Sequence, residues 1–183
     1  MTNPNRPALQ AGVTLVELVI VLAIIATLAV MAIPPVLDRW ERETVTLFSE
    51  RVVSAINLAQ VTAQHRHTWT YFSPQAPMRN PNAQWAVILS RPHTTTATQQ
   101  VPLLSISVPA FPAVQVSSNL PEDTLSYAPV GYSRKSDGTL LDGTITITCG
   151  RHTRRIRISA VGRARICDPE VDRNNCPASG SDP

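Results

Sequence analysis

The hydrophobic positions of this chain begin as one continuous block and then change to a periodic pattern. Residues 13–33 contain a single charged side chain, Glu17, and no polar stripe. At 1.5 Å per residue, a helix of this length extends about 30 Å, which matches the hydrocarbon thickness of a bilayer. The helix of a soluble protein would show a polar face. The block therefore predicts a helix that enters a membrane.

A second helical segment is predicted after the Pro34-Pro35 pair, within residues 36–66. No glycine or proline occurs from residue 37 to residue 64. Apolar side chains recur there at spacings of three and four, which is typical of one buried helix face: Val45, Phe48, Val52, Ile56, Ala59 and Ala63. We expect this segment to be amphipathic and to pack against the domain that follows it.

The remaining residues, 67–183, show the pattern of a β-rich domain. Eight runs are rich in strand-forming residues or alternate between apolar and polar positions: 68–72, 85–89, 103–108, 114–117, 125–127, 144–149, 154–159 and 163–167. The whole pattern predicts an α+β fold. A long N-terminal helix, half membrane-embedded and half amphipathic, packs on an antiparallel β-rich head.

Glu17 decides between three interpretations of the apolar block: an ordinary membrane anchor, a cleaved secretory signal, and a more specialised signal. Arg6 and the small residues at 30–32 favour a secretory signal, but the block is longer than the usual apolar region of such signals. A carboxylate within a membrane helix costs up to about 3 kcal/mol. A cost of this size predicts a functional partner for Glu17.

Residues 12–18 read G-V-T-L-V-E-L, which resembles the class III signal of type IV pilins and type II secretion pseudopilins. The resemblance implies cleavage between Gly12 and Val13 by a prepilin peptidase, followed by N-methylation of Val13. It also implies that Glu17 pairs with the cationic N-terminus of a neighbouring subunit during filament assembly. The chain departs from the usual pattern in having Val13 instead of phenylalanine and Ala11 instead of a basic residue.

Two C-terminal segments are similar to the FimT/GspH branch of this family. Residues 143–149 read G-T-I-T-I-T-C, and residues 156–165 read I-R-I-S-A-V-G-R-A-R. The resemblance implies a single-span precursor in the bacterial inner membrane with a periplasmic head, later built into a filament. The partners that it implies are other pilins or pseudopilins, a prepilin peptidase and an inner-membrane assembly platform. The chain then divides into a leader (1–12), a filament-core helix (13–35), an amphipathic helix (36–66) and a globular head (67–183).

Positive charge is concentrated near the C-terminus, although the net charge of the chain is only +3. Residues 151–165 contain six arginines and no acidic side chain. A three-residue hairpin loop at 160–162, with Gly162 in the left-handed conformation, would place Arg157 opposite Arg165. This register puts four arginines on one outer face, and two more are further candidates for the same site: Arg155, Arg157, Arg163 and Arg165, with Arg151 and Arg154.

DNA is the leading ligand for this arginine cluster. Like charges opposite each other on a sheet are destabilising, and guanidinium forks match phosphate geometry. No aromatic residue follows Tyr132, so we expect sequence-independent, salt-sensitive contacts to the backbone rather than base stacking. The FimT resemblance implies DNA capture in natural transformation. Three alternatives stay open: a solvated face, a patch neutralised by the acidic residues of 168–172, and a subunit contact in a secretion pseudopilin.

Three cysteines lie in the last 35 residues, and in an exported head they predict one disulfide and one free thiol. Cys149 and Cys167 would lie on strands separated by a third strand, too far apart to bond. Cys167 and Cys176 are therefore the favoured pair, with three unpaired cysteines as the alternative. Their spacing does not fit a zinc site, and the sequence shows no nucleophile–base set and no nucleotide-binding glycine loop. We expect no metal, no cofactor and no enzymatic activity.

Overall fold

The computed structural model of the chain describes residues 14–75, 84–90, 102–135, 137–173 and 175–176. Backbone contacts divide the chain into two compact units, Met1–Asp38 and Arg39–Pro183. Within the described residues there are one long α-helix, nine β-strands and a short 3₁₀ segment at Pro121–Asp123. The predicted α+β architecture is confirmed.

The helix, α1, spans Leu15–Arg66 and covers residues that the sequence assigns to two consecutive segments. In the first unit its large apolar side chains are exposed, with Leu15 at 80% and Val30 at 73%. Contiguous exposed apolar surface of this kind marks a membrane or protein contact. In the described part of the chain no helix taken singly is long and apolar enough to cross a membrane. The bent pair of Leu15–Met31 and Pro35–Arg66 passes by length and composition.

In the second unit α1 buries the apolar face that the spacing predicts. All six predicted positions are at most 2% exposed: Val45, Phe48, Val52, Ile56, Ala59 and Ala63. Ser49 is also fully buried on this face, and its hydroxyl donates to the Val45 carbonyl at 2.7 Å. Because this polar group has a hydrogen-bond partner, it does not interrupt the apolar contact with the head.

The head contains two antiparallel sheets. The strands are β1 (Trp69–Pro74), β2 (Gln84–Ser90), β3 (Leu104–Ser107), β4 (Val114–Ser118), β5 (Leu125–Tyr127), β6 (Ser133–Arg134), β7 (Gly143–Cys149), β8 (His152–Ile158) and β9 (Ala164–Cys167). One sheet has the order β3-β2-β1-β5-β6, and the other has the order β4-β7-β8-β9. The last three strands form a meander, as the period-two pattern predicts.

One hydrophobic cluster joins the buried face of α1 to both sheets. The rings of Phe72 and Trp85 pack at 4.9 Å between centroids on the five-stranded sheet. Ile145, Ile147 and Ile156 of the four-stranded sheet are fully buried. Their alternation with more exposed neighbours places the even-numbered side chains of β7 and the odd-numbered ones of β8 on the opposite face. This alternation determines where the arginines of β8 lie.

The structure adds one strand that the sequence does not predict. β6 is only two residues long, and its Ser133 is fully buried. The Ser133 hydroxyl donates to the Leu141 carbonyl at 2.6 Å. A strand this short has no readable period, and a serine in the interior depends on partners that are distant in sequence.

Candidate nucleic-acid interface

The β8–β9 hairpin has the predicted register. Arg157 lies opposite Arg165, and Arg155 lies opposite Cys167. In the connecting loop the Gly162 N–H donates to the Ser159 carbonyl at 2.7 Å. Gly162 has φ +85°, the left-handed conformation that favours glycine. This loop geometry fixes which side chains of the two strands share a face.

The hairpin has an apolar inner face and a charged outer face. Ile156 and Ile158 are 0% and 3% exposed and belong to the core. On the opposite face, Arg157 is half-buried, whereas Arg163 and Arg165 are exposed. The alternation that the sequence predicts therefore brings these three arginines to the outer side of the hairpin.

Side chains from α1, β5 and β6 hold the hairpin loop in place. The Tyr127 hydroxyl donates to the Gly162 carbonyl at 2.7 Å, and Gln60 Nε2 lies 3.4 Å from the Val161 carbonyl oxygen. Ser133 Oγ lies 3.2 and 3.3 Å from two further loop carbonyl oxygens. Burial raises the pKa of Tyr127 well above its ordinary range, so the phenol keeps the proton that it donates. The loop is thus fixed before any ligand binds.

An open groove of about 850 Å³ runs beside the hairpin. Seven of its described lining side chains are polar or charged: Asn57, Gln60, Asp142, Arg157, Ser159, Arg163 and Arg165. Neither Arg163 nor Arg165 makes an ion pair or a side-chain hydrogen bond with any residue that the structure describes. The groove therefore presents at least two guanidinium groups that are available to an anion.

Arg155 and Arg157 on β8 differ from Arg163 and Arg165 because the C-terminal loop contacts them. Arg157 lines the groove, whereas Arg155, which the sequence also assigns to the site, is not among its described lining residues. Arg155 Nη1 donates to the Cys176 carbonyl at 2.7 Å, and Arg157 Nη1 donates to the Asn175 carbonyl at 3.1 Å. These acceptors are neutral, so these two hydrogen bonds do not offset the charge of either side chain.

The structure separates the two further candidates, Arg154 and Arg151, from the groove. Because Arg154 precedes Arg155, strand alternation directs it to the other face of the sheet. There its Nη1 forms an ion pair with Asp168 Oδ2 at 2.6 Å, and both side chains are mostly buried. Arg151 lies in the turn before β8, at the opposite end of that strand from the hairpin loop. The open alternative of acidic neutralisation therefore applies to Arg154, through its ion pair with Asp168.

The cysteines pair as the strand geometry favours. Cys167 and Cys176 form a disulfide, and Cys149 is a free, buried thiol on β7. Burial, with a contribution from the Glu41 carboxylate, raises the pKa of the Cys149 thiol. A thiol in this environment stays protonated and unreactive.

The N-terminal candidate residues lie only partly within the described residues. Glu17 occupies the first turn of α1, and its backbone N–H lies 3.3 Å from the Thr14 hydroxyl oxygen that accepts it. A carboxylate is favoured at this end of a helix by the helix dipole. Gly12 and Val13, the predicted cleavage site, lie outside the described residues.

The groups that support the arginines were not predicted from the sequence. Gln60 and Tyr127 hold the hairpin loop, and the carbonyls of residues 175 and 176 hold two arginines. Gly162 offered an indirect signal, since a glycine at a turn also permits close approach by other groups. Backbone carbonyls have no sequence signature, so the contacts with residues 175 and 176 could not have been predicted.

Comparisons with known proteins identify the family of the chain. The model of a family described as type II transport protein GspH matches residues 49–162, more than half of the 183 residues. A prokaryotic N-terminal methylation motif matches residues 8–33. The GspH match ends at Gly162, so Arg163 and Arg165 lie beyond it.

Two solved structures of the type IV minor pilin FimU from Pseudomonas aeruginosa are also similar to this chain. The first has 13% identity and a TM-score of 0.49, with 68% of this chain and 94% of that chain covered. The second has 16% identity and the same TM-score, with 71% and 92% covered. A comparison with curated proteins finds no match.

Proposed function

This chain belongs to the GspH family of type II transport proteins, and from that premise we propose that it is a DNA-binding minor pilin. It is assembled into a type IV pilus and binds DNA non-specifically for uptake in natural transformation. The family is one of structural pilins and pseudopilins, which implies assembly with other pilins and processing by a prepilin peptidase. The observation that carries the proposal is the groove in which Arg157, Arg163 and Arg165 meet.

The electrostatics of this groove favour an anionic ligand. Arg157 faces Arg165 directly across the two strands, and such a pair of like charges is destabilising without a counter-ion. Arg163 and Arg165 have no acidic partner among the described residues. A bound phosphate would relieve this repulsion, and it would accept bidentate hydrogen bonds from the guanidinium groups.

The composition of the groove favours a nucleic-acid backbone over bases. The described residues that line it include arginines and amide side chains but no aromatic ring on which a base could stack. Binding that depends on arginine–phosphate contacts is sequence-independent and weakens steeply as the salt concentration rises. Those properties suit a protein that takes up DNA of any sequence.

Assembly into the filament depends on the N-terminal segment. In this proposal a prepilin peptidase cuts between Gly12 and Val13, and the new amine of Val13 is methylated. The Glu17 carboxylate then pairs with the N-terminus of a neighbouring subunit at the inner-membrane assembly platform. An opposite charge in the low-dielectric filament core would offset the cost of placing Glu17 there.

A second function is favoured by the family description itself, which names type II transport. In that case the chain is a structural minor pseudopilin of a secretion filament. The arginine groove would then contact an acidic surface of another subunit and would be covered after assembly. Binding of DNA to the isolated full-length protein distinguishes the two functions.

The decisive experiment reverses the two exposed charges. Full-length protein in lipid nanodiscs is titrated with a fluorescent DNA duplex at several salt concentrations. Arg163→Glu/Arg165→Glu should weaken binding more than tenfold at about 0.1 M salt. The slope of log affinity against log salt concentration, which we call the salt slope, should fall in magnitude by about 2. Asp142→Asn should strengthen binding slightly, because it removes a carboxylate from the groove.

The matched control changes the net charge equally at a distant site. Arg39→Glu/Arg51→Glu alters two exposed arginines of α1 that do not line the groove, and it should lower affinity far less. Equal losses in both double variants would show that binding follows net charge alone and would refute the proposed site. Absence of binding by the wild-type protein would favour the secretion pseudopilin.

A further inference from the structure

The disulfide loop, as we call the segment after β9 whose described residues are 168–173 and 175–176, contacts three arginines of β8. Among the described contacts it reaches neither Arg163 nor Arg165. We propose that this loop, closed by Cys167–Cys176, positions Arg155 and Arg157 for DNA binding. The inference rests on the proposed DNA-binding function and extends its site from Arg157, which lines the groove, to Arg155, two positions earlier on β8. Arg163 and Arg165 then meet the DNA without a described side-chain contact that orients them, whereas Arg155 and Arg157 are oriented in advance.

The beginning of the disulfide loop is fixed by Asp168. Its Oδ2 pairs with Arg154 at 2.6 Å, and its Oδ1 accepts the Glu170 N–H at 2.9 Å. The Asp172 N–H donates to the Asp168 carbonyl at 2.8 Å, and the Asn175 N–H donates to the Asp172 carbonyl at 3.1 Å. Two successive turns therefore lead the chain from β9 back towards the outer face of the hairpin.

The end of the loop is fixed by the disulfide. Cys167 lies opposite Arg155 on the neighbouring strand, so a bond from Cys167 to Cys176 returns the chain to that position. Both sulfur-bearing residues are buried, with Cys167 at 6% and Cys176 at 1% exposure. The Cys176 carbonyl is thereby brought to Arg155, and the preceding carbonyl is brought to Arg157.

Carbonyl acceptors suit a positioning role because they orient a guanidinium group without neutralising it. A carboxylate at the same place would cancel the charge that attracts phosphate, as Asp168 does for Arg154. An arginine has five N–H donors, and the contact between Arg155 and Cys176 uses Nη1 alone among the described contacts. Arg155 Nε is buried without a partner in the described part of the chain. Because these side chains are ordered before binding, the loss of conformational entropy on binding is smaller.

Opening the disulfide should therefore weaken DNA binding through Arg155 and Arg157. Full-length Cys167→Ser/Cys176→Ser in nanodiscs should bind the DNA duplex about five- to tenfold more weakly. Its salt slope should be smaller in magnitude by about 1, which corresponds to the loss of about one phosphate contact. Dithiothreitol treatment of the wild-type protein should have the same effect. It breaks the S–S bond to give two thiols and is itself oxidised to its cyclic disulfide.

A charge-conserving variant separates positioning from stability. Arg155→Lys/Arg157→Lys keeps the disulfide and the net charge but removes the guanidinium forks, and it should lose a similar five- to tenfold in affinity. Combining it with Cys167→Ser/Cys176→Ser should cost little more, because both changes remove the same oriented contacts. The lysine variant also serves as the test if the serine variant fails to fold.

The outcomes distinguish this inference from the function on which it rests. If wild-type protein binds DNA and both the opened loop and the lysine variant leave affinity and salt slope unchanged, the positioning role is refuted and the DNA site stands. Additive losses in the combined variant would also refute it. If wild-type protein does not bind DNA at all, the function and the inference are refuted together.

Discussion

Gly162 shows how one residue supports the whole arginine hairpin. It has a left-handed backbone, and a Cβ placed there would lie 2.6 Å from a ring carbon of Tyr127. The same Cβ would lie 3.0 Å from both Gln60 Nε2 and the Gly131 carbonyl oxygen. Any side chain would therefore displace the two residues that hold the loop. Glycine is required here for its conformation and for its small size.

We predict that Gly162→Ala destabilises the head more than its conformation alone explains. A left-handed alanine costs about 1–2 kcal/mol, and the contact with Tyr127 should raise the total loss of unfolding free energy to about 2–4 kcal/mol. Gly138→Ala is the matched control, because Gly138 has φ +82° and nothing within 4 Å of the added Cβ. Urea denaturation of both variants measures the difference, and equal losses would contradict the packing argument.

The Tyr127 phenol predicts a loss of stability at alkaline pH. Burial raises its pKa in the folded protein, whereas the unfolded chain ionises it near pH 10. Because only the unfolded state gains this ionisation, the free energy of unfolding falls as the pH rises above about 10. Tyr127→Phe should make that decline shallower when urea denaturation is measured at pH 8 and pH 10.5.

Tyr127→Phe should also cost about 1 kcal/mol at neutral pH, because it removes the hydrogen bond to the Gly162 carbonyl. Tyr132→Phe is the control, since Tyr132 is 45% exposed and should change the unfolding free energy by less than about 0.5 kcal/mol. An unchanged pH dependence in Tyr127→Phe would show that other groups cause the alkaline loss.

Among the elements, the disulfide loop depends on the pairing of Arg154 with Asp168. We expect Asp168→Asn to lower the unfolding free energy by about 1–3 kcal/mol, because it leaves a mostly buried guanidinium without its charge partner. Asparagine keeps an oxygen that can accept the Glu170 N–H. Asp172→Asn, an exposed position in the same loop, should change stability by less than about 0.5 kcal/mol. Equal effects of the two variants in thermal denaturation would contradict the importance of the ion pair.

The elements also show which parts of the structure the sequence can predict. The spacing of Val45, Phe48 and Val52 predicted the buried face of α1, because helix periodicity is a local property. Alternation around Gly162 likewise predicted the hairpin register, since turn and strand patterns agree there. β6 and the disulfide loop were not predicted as supports of the site. Their contacts join residues that are distant in sequence, and they use backbone carbonyls that carry no side-chain signal.

For the molecule as a whole, the proposed function assigns assembly and DNA binding to different units. The first unit carries Glu17 and the exposed apolar part of α1, whereas the second carries the core and the arginine groove. The methylation motif covers residues 8–33, and the GspH match covers residues 49–162. The two functions should therefore be separable by mutation.

We predict that Glu17→Gln abolishes incorporation into filaments while DNA binding by the purified protein is retained. Glutamine cannot form the charge pair with a neighbouring N-terminus, although it costs less than a carboxylate in lipid. Immunoblots of sheared filaments and membrane fractions measure incorporation, with Glu50→Gln at an exposed position of α1 as the control. Normal incorporation of Glu17→Gln would refute the proposed pairing.

The position of β9 at the outside of its sheet has a consequence for crowding. An outermost strand offers unpaired backbone groups to which a strand of another molecule can add. Arg165 on β9 and Arg163, which directly precedes this strand, place positive charge along the edge of the sheet. Two such positively charged sheet edges would repel each other. Heads at high local concentration would therefore resist edge-to-edge aggregation. Neutral substitutions at these positions would then lower the solubility of the protein as well as its proposed affinity for DNA.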